Sequence, residues 1–297
     1  MKPAAFAYHH PASLEEALGM LAGMGDSAKL IAGGQSLVPV MNMRLAAPGN
    51  LIDLNGLSGL DSVSESGGFI EVGAMTRHCD LAASELVRAR CPLLADAART
   101  IGHYAIRQRG TLGGSLAHAD PTAQLPLIAV TLGAHIEVAS QRGRRSVDAT
   151  RFFESLMTTT LAPDELVVAA RFPVTVAGAG AGAGAGTAFR LFNRRRGDFA
   201  IVAVAATIQV ADGRIVALRL GIGGVGPVPA SLADLCAGFV GELAAPVTLG
   251  NIAAAVRAAI TPEKSARIPA EYRRDLAYAL TGRALLRACE KAQGKPA

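Results

Sequence analysis

The chain has no tryptophan, and aromatic residues fill only 4% of its 297 positions. Gripping single-stranded nucleic acid by stacking bases on aromatic platforms is therefore not expected. Charge is scarce as well, 18% against 51% hydrophobic residues. Disordered chains need the opposite balance, so a folded core is expected, built from small aliphatics. Only four cysteines occur, Cys79, Cys91, Cys236 and Cys289, with no CxxC pair and no Cys/His cluster. No iron–sulfur cluster, structural zinc or other metal site is expected on this chain. No stretch reaches the roughly 18 uninterrupted apolar residues of a membrane span. Met1 to Phe6 lack the apolar run of a secretion signal, so a cytoplasmic protein with free thiols is expected.

What is present is length for about two domains and a mild excess of basic residues. There are 29 Lys and Arg against 24 Asp and Glu, a net +5 with His neutral. The basic residues are spread along the chain, so an anionic ligand fits and nucleic acid is not implied. The one tight cluster, Arg194-Arg195-Arg196, reads equally as a solvated loop.

Ser13-Leu14-Glu15-Glu16 has a capping-box pattern, and Leu14, Leu18 and Leu21 follow at helical spacing up to Gly25. Ala28 to Ala32 reads as a strand running into a glycine turn. Leu51–Leu54 and Phe69–Ala74 read as further strands, Pro92–Ile101 as a helix stopped by Gly102, and Leu125–Ala134 as an apolar helix. His135–Val138 and Glu165–Phe172 are strands. The Ala-Gly tract 177–186 has little to bury and reads as a linker, with silk-like sheet packing as the alternative. Beyond it, Phe199–Val210 and Ile215–Ile222 flank Ala211-Asp212-Gly213, a hairpin signal. Leu276, Leu280, Leu285 and Leu286 mark a last helix over Pro269–Cys289.

Two glycine loops carry the chemical signal. Gly33-Gly34 is followed by Ser36, and Gly113-Gly114 is flanked by Thr111 and Ser115. Glycine permits positive φ and close approach of a ligand to the main chain, and successive free N–H groups form an anion-binding nest. Either loop alone reads as an ordinary turn. The two together, with matching hydroxyls, point to a nucleotide pyrophosphate. Gly221-Ile222-Gly223-Gly224-Val225-Gly226 also matches GxGxxG, but Pro227 and Pro229 follow where the dinucleotide fingerprint needs a helix. Acid/base groups are thin. His118 and Asp120 flank the second loop and read as a loop histidine and a turn-capping carboxylate. His9-His10 read as solvated, and His78 precedes Cys79 without a ligand partner. No catalytic side chain is assigned.

The segment Ala32-Gly33-Gly34-Gln35-Ser36-Leu37-Val38-Pro39, then Met41 to Leu45, resembles the first FAD-binding motif of the flavoprotein (medium) subunits of molybdenum hydroxylases. These are of the carbon monoxide dehydrogenase and xanthine dehydrogenase type. Ile106 to Pro121 resembles the second motif. Arg195 to Ala200, and Tyr272-Arg273 with Leu276, resemble motifs of the C-terminal domain. The likeness spans nearly the whole chain.

The resemblance implies an α+β architecture. A two-subdomain FAD-binding fold of the vanillyl-alcohol oxidase (PCMH) type would fill 1–176, with subdomains about 1–55 and 56–176. The linker 177–186 would lead to a CO dehydrogenase flavoprotein C-terminal α+β domain over 187–297. It also implies noncovalent FAD here, and a heterotrimer with a molybdopterin large subunit and a [2Fe–2S] small subunit, assembled as a dimer of heterotrimers. Clusters deliver single electrons and many acceptors take pairs, and a flavin converts between the two.

By the same resemblance, Ile31, Ala32, Gly33, Gly34, Gln35, Ser36 and Leu37 wrap the pyrophosphate and ribityl chain with Thr111, Gly113, Gly114 and Ser115. Ile101, Ile106 and Val167 are apolar positions lining FAD. Asp120 makes a polar contact, Arg190 supplies a basic group near the flavin, and Asp198 and Phe199 approach the ring. The chain departs from the pattern at Gln124, where an acid is common, at Ala105, where Gln is frequent, and in the Ala-Gly tract. A stand-alone FAD oxidoreductase of the same fold is the alternative.

Overall fold

Ser13 caps the first helix as its spacing predicts: its Oγ accepts from the Glu16 N–H at 3.1 Å. Glu16 reaches back one residue further than a standard capping box, taking the Ala12 N–H at 2.6 Å. A computed structural model describes residues 2–175, 184–263 and 268–294.

The first lobe runs β1 (Ala7–His9), α1 (Leu14–Met24), β2 (Ala28–Ile31), α2 (Leu37–Asn42) and β3 (Asn50–Asp53). Its three strands pair in the order β1-β3-β2, parallel throughout. Parallel pairing needs crossovers: α1 carries the chain from β1 across to β2, and α2 from β2 to its neighbour β3.

The second lobe opens with the hairpin β4 (Val63–Ser66) and β5 (Phe69–Gly73). Helices α3 (His78–Ala83), α4 (Glu85–Arg90), α5 (Pro92–Arg99), α6 (Tyr104–Arg109), α7 (Leu112–His118) and α8 (Gln124–Leu132) follow. The chain then returns through β6 (His135–Ser140), β7 (Gly143–Asp148), α9 (Ala149–Phe152), β8 (Phe153–Ser155), β9 (Thr158–Thr159) and β10 (Leu166–Pro173). The sheet is antiparallel in the order β4-β5-β10-β6-β7. The continuous apolar run in β10 has a physical reason. Leu166 and Val168 join the core of the first lobe, while Val167, Ala170 and Phe172 join that of the second. A strand buried on both faces does not alternate.

The C-terminal part holds β11 (Gly184–Phe192), β12 (Val202–Ala211), β13 (Arg214–Gly223), β14 (Ala230–Ser231), α10 (Ala233–Ala237), α11 (Pro246–Ala259) and α12 (Ala270–Ala292). The β12–β13 hairpin turns on Asp212 and Gly213, at φ +50° and +72°, the paired positive values of a type I′ turn. Its sheet is sandwiched. Helices α11 and α12 share a core with β12 and β13 on one face. Helix α8 packs on β13 from the other, and every residue of α8 is buried. Each fully buried leucine or isoleucine there contributes about 1.5–3 kcal/mol.

Two expectations need correction. The linker expected over 177–186 has residues 177–183 outside the described residues, but Gly184, Ala185 and Gly186 are strand, paired with Val210, Gln209 and Ile208. Alternation puts both glycines on one face, and there α12 lies against the strand. A Cβ on Gly184 would come within 1.7 Å of Ala292 O, and one on Gly186 within 1.8 Å of Ala288 O. The second correction concerns the glycine loop expected at Gly113-Gly114, within the segment 105–115. It is two helix segments, α6 and α7, with Gly113 and Gly114 in the first turn of α7.

Gly186→Ala is expected to cost about 1–3 kcal/mol by overpacking against α12. Gly23→Ala, on an open face of α1 with nothing within 4 Å, is expected to gain about 0.5–1 kcal/mol. Urea titration of both variants checks the contrast. Equal stabilities would contradict the strand–helix contact.

Candidate functional site

The first glycine motif leaves the parallel sheet at Ile31 and ends where α2 begins. Gly34 sits at φ +71°, which glycine tolerates without strain. Among the described residues, the N–H groups of Gly33, Gly34, Gln35, Ser36 and Leu37 find no acceptor. Most carbonyls of the motif are engaged. Ile31 O accepts from Leu54 N at 3.0 Å, Gly34 O from Val38 N at 3.1 Å, and Gly33 O from Gln35 Nε2 at 3.1 Å. Free donors with tied carbonyls make an anion-binding concavity.

The second motif behaves differently. Leu112 N donates to Thr76 O at 3.0 Å, Gly113 N to Ala74 O at 2.7 Å, and Ser115 N to Thr111 O at 3.1 Å. Thr111 Oγ1 caps α7 by accepting from Gly114 N at 3.1 Å. These N–H groups are already satisfied, so this motif is no second nest. Gly113 is glycine because its Cβ would lie 2.5 Å from Ala74 Cβ. Gly114 is exposed, and beyond Thr111 Oγ1 the first atom met by its Cβ would be Ala32 Cβ at 3.9 Å. It offers bare backbone toward the first motif.

The two motifs touch. A Cβ on Gly33 would lie 2.1 Å from Arg109 O and 2.9 Å from Gly110 Cα. Ile31 to Leu37 and Thr111 to Ser115 therefore border one gap. Ile101 precedes the turn into α6 and Ile106 lies within α6: Arg107 Nη1 donates to Ile101 O at 2.9 Å, and Gly102 packs on Ile106.

Among the described residues, no hydrogen bond joins the other expected residues to the glycine motifs. Val167 is buried in β10 opposite Val138, in the core against which Ile101 packs. Asp120 follows α7, its Oδ1 accepting from Thr122 N at 2.7 Å and Thr122 Oγ1 at 2.6 Å. It caps a turn, as the bland reading has it. Arg190, half-buried on β11, donates to Phe189 O at 3.0 Å. The Arg194–Phe199 loop comes in from the C-terminal part. Gly197, at φ +82°, lies so close to the His103 ring that a Cβ would be 2.6 Å from it. Asp198 pairs with Arg195 at 3.7 Å and Arg194 at 3.9 Å, while Phe199 is exposed.

The GxGxxG sequence at 221–226 serves packing. A Cβ on Gly221 would strike Thr131 Oγ1 of α8 at 1.9 Å, and one on Gly224 would strike Ile201 O at 2.5 Å. Gln124, buried at the start of α8, is a neutral amide where a carboxylate would need a partner.

The sequence reading missed the residues that hold the second motif. His78 is buried, its ring Nε2 lies 2.9 Å from Thr111 O, and its own N–H donates to Gly110 O at 2.9 Å. A Cβ on Gly110 would lie 2.7 Å from the ring. Burial pushes the imidazole pKa down to about 4, so the ring is neutral and Nε2 carries the proton donated to Thr111. Arg77 and Asn55 were also missed. Arg77 Nη2 donates to Asn55 Oδ1 at 2.6 Å, and Arg77 also donates to Arg109 O. No local pattern marks these three, because each acts through a distant carbonyl or amide.

The comparisons follow the same two-part layout. The model of the FAD binding domain in molybdopterin dehydrogenase matches residues 4–175. The CO dehydrogenase flavoprotein C-terminal domain matches residues 187–288. The chain belongs to the family of FAD-binding medium subunits of molybdenum hydroxylases. It is 37% identical to the 6-hydroxypseudooxynicotine dehydrogenase complex subunit alpha of Paenarthrobacter nicotinovorans, over 99% of this chain and 97% of that one. It is 32% identical to the carbon monoxide dehydrogenase medium chain of Afipia carboxidovorans, over 99% and 100%. The solved carbon monoxide dehydrogenase of Hydrogenophaga pseudoflava superposes at TM-score 0.93 with 34% identity, over 98% of this chain and 100% of that one. Medium subunits of this family are parts of oxidoreductases with an FAD-binding domain. Among the described residues, no helix is long and apolar enough to cross a membrane.

His78 gives this medium subunit a pH signature. From its ordinary 6.5 down to about 4, the unfolded chain protonates this ring and the folded chain does not. Stability is therefore lost as pH falls through that window, by about 3 kcal/mol over its full span. His78→Gln, which keeps a donor toward Thr111, should flatten that slope in urea titrations run across the window. Parallel slopes for variant and wild type would overturn the assignment.

Proposed function

We propose that this chain holds FAD noncovalently in the gap between the two glycine motifs. Through it the chain would carry electrons from the [2Fe–2S] clusters of a small partner subunit to an external acceptor. The complex would be a cytoplasmic heterotrimer whose large subunit binds molybdopterin and substrate, paired into a dimer of heterotrimers. The observation that carries the reading is the run of unsatisfied N–H groups from Gly33 to Leu37 beside bare backbone at Gly114. A pyrophosphate accepts hydrogen bonds and donates none, so it is the ligand such a run complements.

The fit extends to the rest of the gap. Tied carbonyls at Ile31, Gly33 and Gly34 are turned to other work, so oxygen does not face oxygen. The hydroxyls of Ser36 and Ser115 supply adaptable donors at either motif. Ile101 and Ile106 supply apolar surface at the end of the gap reached by the Arg194–Phe199 loop. Arg190, Val167 and Asp120 belong to this site by resemblance and would contact FAD there. Bound FAD supplies the conversion between single-electron and two-electron transfer. The chain's residues bind, orient and shield it.

The visible spectrum of the purified chain, with and without its partner subunits, is the direct test. Stoichiometric FAD, released intact on denaturation, is expected. A colourless protein in both preparations would overturn the proposal. In Gly114→Val, a branched side chain would enter the gap beside Thr111 Oγ1, already 2.8 Å from the Cβ position. FAD affinity should fall by at least about tenfold with the fold retained by circular dichroism. Undiminished flavin content would overturn the placement.

A further inference from the structure

Two side chains bridge the glycine motifs. Arg77, at the turn after β5, donates through Nη1 to Arg109 O and through Nη2 to Asn55 Oδ1 at 2.6 Å. Asn55, just past β3, donates through Nδ2 to Ala32 O at 2.9 Å. An unbroken path of hydrogen bonds thus runs from the backbone of the first motif to the backbone of the second. We infer that Arg77 and Asn55 form a clasp that sets the separation of the two motifs, and are positioning residues for FAD. This rests on the FAD reading above and adds to it.

Both ends of the clasp are anchored. Asn55 N donates to Asp53 Oδ1 at 2.9 Å, Asn55 Nδ2 donates to the same oxygen, and Asp53 Oδ2 accepts from the Tyr8 hydroxyl. Burial pushes the Asp53 carboxyl up, but the hydrogen bonds from Tyr8 and Asn55 outweigh it and hold its pKa below the usual carboxylate range. These contacts fix the amide with its oxygen toward the guanidinium and its nitrogen toward Ala32 O and the carboxylate. At the other end, the Arg77 backbone is bridged to Thr111, flanked by Leu112 N to Thr76 O at 3.0 Å and His78 N to Gly110 O at 2.9 Å. The guanidinium therefore starts from a base fixed to the second motif and reaches the first through Asn55.

The clasp answers a problem the close approach creates. Gly33 is pressed on Arg109 O, and Gly33 O receives Arg109 Nε at 3.4 Å. The Arg109 carbonyl pressed against Gly33 is the same oxygen to which the Arg77 guanidinium donates, so a cation with directed donors holds that carbonyl in place. The rigid fork of arginine reaches two acceptors at fixed geometry, and the single ammonium of lysine does not.

The test is FAD binding to the full chain stripped of flavin, read as a Kd from flavin fluorescence, beside the Tm of the same apo-protein. Arg77→Lys keeps the charge and loses the fork. Asn55→Asp keeps the size and sets oxygen against Ala32 O and Asp53. Each should raise the Kd by about tenfold, the scale of one charge-assisted hydrogen bond. Arg77→Ala with Asn55→Ala should be no worse than Arg77→Ala alone, since both break one path. Lowered Tm with unchanged Kd in both conservative variants would reduce the clasp to a structural contact and overturn the inference. So would additive losses in the double variant. Wild-type chain that binds no FAD would overturn the functional proposal and the clasp with it. Wild type that binds while the variants bind equally well would overturn the clasp alone.

Discussion

The site depends on one backbone contact. Gly33 meets Arg109 and Gly110 so closely that a single added carbon would lie 2.1 Å from a carbonyl oxygen. Real side chains never show such a distance, so the first motif reaches the second only through glycine. From that contact the layout follows. The parallel sheet delivers one edge of the gap at the end of β2, and α6 and α7 deliver the other. Main chain meets main chain at the seam, so what holds it must answer carbonyls and amides. A neutral imidazole at His78, a guanidinium at Arg77 and an amide at Asn55 do so.

The two motifs look alike in sequence and divide the work between them. In the first, N–H groups are left over and carbonyls are tied, which suits an anion. In the second, the N–H groups close a helix turn and bind the Ala74–His78 segment. Its glycines answer steric demands: Gly113 lets α7 settle on Ala74, and Gly114 leaves room beside Ala32. A paired-loop cradle is thus replaced by a cradle and a wall. A wall can be rigid because its hydrogen bonds are complete, and a cradle can bind because its own are not.

Signals contained within a short stretch were legible. The capping box at Ser13, the Asp-Gly hairpin, the apolar run of α8 and the helical spacing of α12 each express an interaction among near neighbours. The glycines show where legibility ends. Gly34 and Gly213 are glycine for positive φ, which a turn pattern can announce. Gly33, Gly184, Gly186 and Gly221 are glycine because another segment of backbone or side chain lies against them. The partner of Gly33 is 76 residues away, so nothing local distinguishes it from a turn residue. The same reason hid Arg77, Asn55 and His78. The pairing of both motifs was legible from their order and hydroxyls; the unequal use of their N–H groups was not.

Helix α8 carries the argument into the C-terminal part. It is buried on all sides because two sheets claim it, and the glycine at 221 lets β13 sit on Thr131. Thr131 tolerates this burial because its hydroxyl donates to Leu127 O at 2.7 Å within the helix. Pro121 O, just before α8, accepts from Gly224 N at 3.0 Å and ties the same two parts again. With β13 held in this way, β12 is placed by the hairpin, and the loop that precedes it arrives at His103. The contact of Gly197 with that ring lies at the start of α6, the helix that ends at Arg109 and the seam. The fully packed helix and the bare backbone within the gap are thus two ends of one constraint. Close approach, made possible by missing β-carbons, sets where each part of the chain can stand.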